Sequence, residues 1–367
     1  MKIGIITIQP TINYGGILQA FALQTILERL GHTVEIVCDK NRHFALPKWK
    51  KPLVYSKRLF LKYSGLKPNQ IIKMEEFRRN EACKYTEQFI QSHLHIREYR
   101  TFDDIKEDDY DAFVVGSDQI WREKYNHDIE RSFLSFAEQW NVLRIAYAAS
   151  FGTEKWEYNE MQTENCKRLI KKFKAVSVRE KSGVELVRRY LDYDAIHVLD
   201  PTMLLPKEDY EKLVKDDHIQ HSHGDILCYI LDDSDCVREK IIDIASTKHL
   251  TPFYVNSRYD DMTAKANEWI QAPVEMWLRG FYDAKLVITD SFHATVFSII
   301  FRKPFILLSN VERGNARFLS LLNAAKFDCS QGIFNKLFCP NENTDLAISE
   351  FKEYSMWFLA NNLSSMK

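Results

Sequence analysis

Short apolar runs alternate with helix-length segments along the chain. The first run, residues 2–8, is followed by a polar turn at residues 11–16. Residues 17–30 then place apolar side chains around a wide helical stripe, and Gly31 ends the segment. Residues 33–38 form the next apolar run. A strand, a helix and a strand of these lengths predict a parallel sheet with a right-handed crossover.

The alternation continues in both halves of the sequence. The polar, His-containing stretch that ends at Gly224 separates them. We therefore predict an α/β fold with two Rossmann-like domains facing a cleft lined by loops at the carboxyl ends of the strands. The predicted strands lie at residues 111–115, 144–148, 175–178, 195–199, 225–231, 252–256, 286–289 and 304–308, the last being the final strand. The predicted domains are residues 1–205 with an insertion at about 42–80, residues 224–345 with the donor site, and a helix at 346–367 that can cross back to the first domain.

Composition narrows the class of protein. A chain of 367 residues suggests two domains. Its 45% hydrophobic and 28% charged residues are typical of a globular protein. The net charge of −1 argues against a dedicated nucleic-acid binder. The mean hydropathy of −0.34 argues against a transmembrane helix.

The spacing of the cysteines and the first residues of the sequence bear on the cellular compartment of the protein. The seven cysteines form no CxxC pair, which argues against a disulfide framework or a structural zinc site. The first apolar run is too short for the core of a signal peptide. We expect a cytoplasmic protein that needs no metal.

The strongest candidate site is the segment at residues 286–297. A buried strand runs into Asp290 and Ser291, either of which can cap the next helix. His293 would then lie in the first helical turn, where free N–H groups attract phosphate or carboxylate. There it could donate a proton or hold a phosphate. The alternative is a histidine that bonds a nearby carbonyl, and the local pattern favours neither.

Arg179 is the second candidate. It follows the predicted strand 175–178, at an edge where ligand groups are expected. A planar guanidinium suits bidentate binding of carboxylate or phosphate. The local pattern slightly favours the alternative, an ion pair with Glu180 or a neighbouring loop.

The remaining candidates occupy loops between strands and helices. One turn contains Asn13, Tyr14, Gly15 and Gly16. Its glycines either let the backbone approach a ligand or simply allow a tight turn from strand to helix. Asp118 and Gln119 could orient a sugar hydroxyl or cap a turn. Arg313 and Arg317 could meet an anion or belong to a solvated loop.

Four other polar features favour structural roles. For Asp39 the pattern favours a solvated loop carboxylate over a dinucleotide contact, because no GxGxxG motif precedes it. Asp200-Pro201-Thr202 favours a hinge or turn. The Asp233-Ser234-Asp235 triplet favours helix capping over metal binding. The linker histidines favour a solvated segment; they are His218, His221 and His223.

Together these motifs resemble the polysaccharide pyruvyl transferase family. The matching stretches occur in family order at residues 4–24, 114–121, 147–152, 176–183, 198–205 and 286–306. The resemblance implies a fold similar to GT-B glycosyltransferases. It implies phosphoenolpyruvate as donor, and as acceptor a sugar of a cell-surface polysaccharide or of its lipid-linked precursor, such as an exopolysaccharide. The product would be a pyruvate ketal.

Two functional residues carry over from that resemblance. The functional histidine matches His293, and the functional arginine matches Arg179. Some members also have an arginine shortly before the histidine, where this chain has Asp290-Ser291-Phe292, so we expect that contact from Arg313 or Arg317.

The implied chemistry needs no metal or nicotinamide. Proton transfer to the donor's methylene carbon creates a cationic centre that a sugar hydroxyl attacks. We expect His293 as acid or phosphate ligand, Arg179 as anion clamp and Asp118 as base. The alternatives are a GT-B-type glycosyltransferase that uses a nucleotide sugar, and a non-catalytic polysaccharide-assembly protein.

One segment is strongly charged. Residues 48–79 contain ten Lys and Arg residues against two Glu residues, a net charge of +8, with aromatic residues interleaved. Such a segment could rest on anionic lipid headgroups beside a lipid-linked acceptor. A solvated helical insertion is the slightly favoured alternative.

Overall fold

The computed structural model describes residues 1–40, 72–126, 128–215, 219–258, 264–265, 268–309 and 315–364, with only the backbone for residues 72–77. Most of the basic segment 48–79 therefore lies outside the described residues, as does Arg313.

The first half of the chain forms a seven-stranded parallel sheet. Its strands are β1 (Lys2–Ile6), β2 (Thr33–Asp39), β3 (Ile96–Tyr99), β4 (Ala112–Val115), β5 (Leu143–Ala149), β6 (Ala175–Val178) and β7 (Ile196–His197). The spatial order is β3-β2-β1-β4-β5-β6-β7, which is the Rossmann order with one further strand. The order reverses beside β1, so the loops after β1 and β4 open a crevice at the carboxyl edge.

The second half forms a five-stranded sheet. Its strands are β8 (Ile226–Tyr229), β9 (Pro252–Tyr254), β10 (Leu286–Thr289), β11 (Phe305–Leu307) and β12 (Leu337–Phe338), in the order β12-β11-β10-β8-β9. All neighbours are parallel except β11 and β12. The prediction that residues 304–308 form the last strand is therefore wrong. The two-residue β12 is too short to give an alternating pattern, and the sequence prediction also missed β3, where only two of four residues are apolar.

Helices cover the faces of both sheets. They are α1 (Tyr14–Arg29), α2 (Ile72–His93), α3 (Glu160–Ile170), α4 (Lys181–Leu186), α5 (Lys207–Val214), α6 (Asp235–Lys248), α7 (Val274–Asp283), α8 (Phe292–Ile300), α9 (Ala316–Ala324) and α10 (Glu342–Leu363). Strands β4 and β10 are buried at every residue, as expected for parallel strands covered on both faces. Within the described ranges, no helix has the length and apolar character needed to cross a membrane.

Apolar packing joins the two halves. One buried cluster continues from Ile3 and Leu18 in the first half to Trp277 and Val287 in the second. The side chain of Tyr14 stacks on Trp277 with ring centroids 5.2 Å apart, and its hydroxyl donates to the Ala272 carbonyl at 2.7 Å. The last helix, α10, packs back on the first half. Two Rossmann-like sheets joined in this way make the fold α/β and GT-B-like, as predicted.

Helix α10 is attached to the first half through polar and aromatic contacts. The Ser355 hydroxyl accepts a hydrogen bond from the Leu199 amide at 3.0 Å. The Phe358 ring lies 6.2 Å from the ring of Tyr147. The limits proposed above for the separate domains stay a prediction.

Asp39 differs from its predicted solvated state. Its side chain is only 4% exposed, and Arg131 Nη1 lies 3.2 Å from its Oδ2. Because Arg131 lies in the 3₁₀ helix Ile129–Phe133, 92 residues along the sequence from Asp39, the pairing has no local signal.

Candidate active site

Strand β10 and its cap set the position of His293. Ser291 is the N-cap of α8, and its hydroxyl accepts from the Ala294 amide at 3.5 Å. The Asp290 carboxylate instead accepts from the Leu231 and Asp232 amides at 2.7 and 3.0 Å. Ser291 is thus the cap, and Asp290 fixes the loop after β8. His293 follows in the first turn of α8, as predicted.

Gly15 makes room for the His293 imidazole. A Cβ at residue 15 would lie 2.0 Å from His293 Nδ1, so only glycine fits there without displacing the ring. Asn13 caps α1 by accepting from the Gly15 amide at 3.0 Å. The first turns of α1 and α8 therefore meet, and each directs the positive end of a helix dipole toward the junction of the halves.

The four residues of the predicted glycine turn have distinct surroundings. The ring of Tyr14 stacks on Trp277 and its hydroxyl donates to the Ala272 carbonyl, as described above, so these groups contact the protein itself. A Cβ at Gly16 would meet its nearest neighbour, Asp118 Oδ2, at 3.7 Å, an ordinary contact. Gly15 is thus the glycine that the site requires.

Arg179 lies at the carboxyl end of β6 and is fully enclosed. Its Nη1 donates to Asp200 Oδ2 at 2.7 Å, and its Nη2 donates to Asp118 Oδ1 at 2.9 Å. The guanidinium also lies over the Phe292 ring, 4.7 Å from the centroid. The ion pairs expected as an alternative therefore exist, but with Asp118 and Asp200 and not with Glu180.

Glu180 stabilises the neighbouring loop. Its Oε1 accepts from the Phe151 and Gly152 amides at 2.8 and 3.1 Å and from the Ser150 hydroxyl at 3.0 Å. Burial raises the pKa of this carboxyl above its ordinary value, although Arg179 opposes the shift. These contacts hold the loop that follows β5.

Asp200 joins the two candidate residues. Its Oδ2 lies 2.7 Å from Arg179 Nη1 and 3.7 Å from His293 Nε2, the latter an ion-pair distance. Its Oδ1 accepts from the amide and hydroxyl of Thr202. The predicted turn role is confirmed, because Asp200 caps the 3₁₀ turn Pro201–Met203. The sequence prediction missed the contacts of Asp200 with Arg179 and His293, because no local pattern indicates that β6, β7 and α8 meet there.

Opposite charges keep the buried groups ionised. Burial alone would raise the pKa of Asp118, but the nearby charge of Arg179 outweighs it and holds that pKa below its usual range. Burial is likewise outweighed at Asp200, where His293 and Arg179 hold the pKa well below its usual range. Burial opposes the charge of Arg179, yet the two carboxylates raise its pKa. Asp118 is thus a poor base, and its contacts favour positioning Arg179.

Arg317 brings a second guanidinium to the cluster. It lies at the start of α9, is 5% exposed, and stands 5.5 Å from the centroid of the Phe292 ring. Burial and the nearby charge of Arg179 lower the pKa of Arg317 to about 10, so it stays charged at neutral pH. Phe292, which no sequence signal singled out, therefore contacts both guanidinium groups.

Other predicted features lie apart from this cluster. The Asp233-Ser234-Asp235 prediction is confirmed, because Ser234 caps α6 by accepting from the Val237 amide. His221 contacts Arg279 on α7, and His218 lies outside the described residues. In the described part of the chain, no three His, Cys, Asp or Glu side chains gather as a metal site.

The cluster combines an imidazole, two guanidinium groups and two ionised carboxylates at the junction of the halves. The first half supplies Arg179, Asp118 and Asp200, and the second half supplies His293 and Arg317. Two helix N-termini face the same place. Such an arrangement can hold a small anion and deliver a proton to it.

Comparison with known proteins gives a family and a set of similar folds. The chain matches the model of the polysaccharide pyruvyl transferase family over residues 13–312. A UDP-GlcNAc 2-epimerase from Methanocaldococcus jannaschii is 14% identical, with 96% of this chain and 100% of that chain covered and a TM-score of 0.47. Arabidopsis thaliana UGT89C1 complexed with UDP-L-rhamnose is 9% identical, with 98% and 93% covered and a TM-score of 0.46. Among curated protein sequences, none matches the chain.

Proposed function

Because this chain belongs to the polysaccharide pyruvyl transferase family, we propose that it transfers pyruvate from phosphoenolpyruvate to a sugar, forming a pyruvate ketal. The acceptor in this proposal is a sugar of a cell-surface polysaccharide or of its lipid-linked precursor. One observation carries the proposal: His293 and Arg179, from opposite halves, meet at a single carboxylate oxygen of Asp200.

The charges of the cluster suit this donor. Phosphoenolpyruvate carries a carboxylate and a phosphate, and both favour guanidinium groups and helix N-termini. Arg179 has five N–H donors and uses one from each terminal nitrogen on Asp118 and Asp200. Its buried Nε has no hydrogen-bond acceptor among the described residues. Arg179 thus retains N–H donors that no described residue uses, so we propose that they meet the ligand when it displaces part of the enclosing contacts, while Arg317 supplies the second positive charge.

The proposed reaction balances without an added cofactor. An acid delivers a proton to the methylene carbon of phosphoenolpyruvate, which becomes the methyl group of pyruvate. A sugar hydroxyl attacks the adjacent carbon and forms the first C–O bond. The bond from that carbon to the phosphate oxygen then breaks, and phosphate leaves. A second sugar hydroxyl closes the ketal. The two hydroxyl protons reload the acid and leave with phosphate.

His293 is the acid in this sequence. Asp200 stays ionised at neutral pH, because its pKa lies well below the usual range, and it can therefore stabilise an imidazolium at Nε2. The same carboxylate binds Arg179, so it fixes the acid relative to the proposed anion clamp. A positioned general acid contributes about 10²–10⁴-fold to a rate.

Phosphate release from phosphoenolpyruvate tests the proposal. The full-length protein is incubated with a panel of β-galactosides and mannosamine-containing lipid-linked sugars, and products are identified by mass spectrometry. We expect acceptor-dependent phosphate release by wild type and a loss of at least about 100-fold in His293→Gln.

His223→Gln is the matched control, because His223 is exposed in the linker between the two halves. It should retain wild-type activity. Melting temperatures of both variants verify folding. Normal turnover in folded His293→Gln would contradict the assignment of the acid. Turnover of UDP- or GDP-sugars, with none of phosphoenolpyruvate, would contradict the proposed donor.

A further inference from the structure

A cavity lies beside the backbone that carries Arg179. Its volume is about 370 Å³, in the range of small-molecule sites. Four parts of the fold meet there: the first residue of α4, the end of β7, the end of α9, and the middle of α10. The lining residues are Lys181, His197, Asn323, Ala324, Lys326, Ala347, Glu350, Phe351 and Tyr354.

The charged groups of this cavity favour an anion. Lys181 and Lys326 are exposed, and neither forms an ion pair with any described residue. Glu350 is the one carboxylate among the lining residues. Burial lowers the pKa of His197 to about 4, so its ring is neutral at pH 7. The lining thus carries a net charge of +1, and its two ammonium groups are the donors that would meet the phosphate of a phosphate monoester.

Apolar surface lies beside these charges. The Phe351 ring packs edge-on against His197, with centroids 5.0 Å apart, and Ala324 and Ala347 line the same cavity. An inorganic ion would leave this surface uncovered. A ligand with a short carbon skeleton would cover it.

Two connections lead from the cavity to the active-site cluster. His197 Nε2 lies 3.1 Å from the Arg179 carbonyl oxygen and donates to it as the neutral Nε2–H tautomer. On the other side, α9 begins beside Arg317 and ends at the cavity. The Lys181 amide also donates to Ser320 on α9 at 3.0 Å. A molecule in the cavity would therefore touch α9, which carries Arg317, and two residues connected to Arg179: His197, which bonds its carbonyl, and Lys181, two positions along the chain.

We propose that this cavity binds a small phosphorylated organic metabolite that is separate from the reacting donor. Its binding changes the positions of the Arg179 and Arg317 guanidinium groups. The binding itself is independent of the proposed function. Only the effect on turnover depends on that function.

Isothermal titration of the full-length chain with 3-phosphoglycerate tests the binding. Wild type should bind one more equivalent than the double variant Lys181→Gln/Lys326→Gln, because each lost ammonium contact costs about tenfold in affinity. Lys172→Gln is the matched control, since Lys172 is exposed, precedes β6, does not line the cavity and forms no ion pair with the residues that the structure describes. It should bind as wild type does. Equal stoichiometry in wild type and the double variant would overturn the site.

Further measurements test whether the ligand is organic and whether its binding is coupled to the active-site cluster. Inorganic phosphate should bind the cavity at least about tenfold more weakly than 3-phosphoglycerate; equal affinity would overturn an organic ligand. The imidazole NMR signals of His197 should shift on titration in wild type and not in the double variant. If phosphoenolpyruvate is a substrate, its KM should change about fivefold or more with 3-phosphoglycerate, in wild type only. An unchanged KM would overturn the coupling, whereas a protein that does not turn over phosphoenolpyruvate would refute the proposed function and leave the binding result standing.

Discussion

Gly15 and Gly16 are neighbours in the first turn of α1, yet the structure predicts opposite results when each is replaced by alanine. Neither glycine has a positive φ, so both backbones accept alanine. Alanine is favoured over glycine inside a helix by about 0.5–1 kcal/mol. Any difference between the two variants must therefore come from what the added methyl group meets.

The added methyl group of Gly15→Ala meets the proposed acid. It would lie 2.0 Å from His293 Nδ1 and 2.4 Å from Cγ. Ordinary contacts between such atoms are about 3.5 Å, so the ring or the helix must move by about 1.5 Å. A misplacement of about 1 Å in an active site can cost about 100-fold in rate. Overpacking of this kind also costs about 1–3 kcal/mol of stability. In Gly16→Ala the nearest atom is Asp118 Oδ2 at 3.7 Å, so neither cost applies.

Acceptor-dependent phosphate release and urea unfolding measure the two effects. We expect kcat to fall about 100-fold in Gly15→Ala, and Gly16→Ala to keep wild-type kcat with equal or slightly higher stability. Histidine NMR signals report displacement of the His293 ring even where no substrate is turned over. If folded Gly15→Ala matches Gly16→Ala in kcat and in the His293 signals, the packing of the imidazole against α1 is refuted.

Two further predictions concern the groups around Arg179. Asp200→Asn should lower the free energy of unfolding at pH 7 by about 3 kcal/mol, because it removes one member of a buried charged cluster. Since the pKa of Asp200 is depressed in the folded protein, its contribution is present above the unfolded value of about 4 and is lost as the pH falls further. Urea unfolding between pH 7 and 3 should therefore show the gap to wild type shrinking in acid, and a constant gap would contradict the ionised state. Phe292→Leu should raise the KM for phosphoenolpyruvate about tenfold, because two guanidinium groups lose their aromatic contact, at about 0.5–2 kcal/mol each. Phe292→Tyr should not, and equal KM values would exclude this positioning role.

Local patterns predicted much of the fold and part of the site. The strand Leu286–Thr289 and the helix after it follow from an apolar run and a capping serine, and they place His293 in the first turn. Arg179 follows from the end of a buried strand. Both signals are local and fit within a window of about 11–18 residues, the range over which sequence periodicity is informative.

The residues that the sequence did not reveal depend on contacts between distant segments. Asp200 lies in a turn with an ordinary capping pattern, and its contact with Arg179 arises because β6 and β7 are neighbours in the sheet. Phe292 has the pattern of a core residue, and its two cation contacts need α9 and β6 beside it. The Asp39 pairing with Arg131 is of the same kind. Such positions follow from sheet order, which the linear pattern does not contain.

Sheet order also explains why the cluster depends on docking of the two halves. Within the first half, Arg179 lies between Asp118 and Asp200, so these three side chains carry one positive and two negative charges, a net charge of −1. His293 comes from the second half and reaches Asp200 only where Gly15 leaves space for it. The second half supplies His293, the proposed proton donor, and the Arg317 guanidinium, and these two groups offset the excess negative charge only when the halves are packed together. In the proposed reaction, such a divided site has its acid in place only when the halves are packed together, and there the His293 side chain is only 9% exposed, so a proton would be delivered where little water is present.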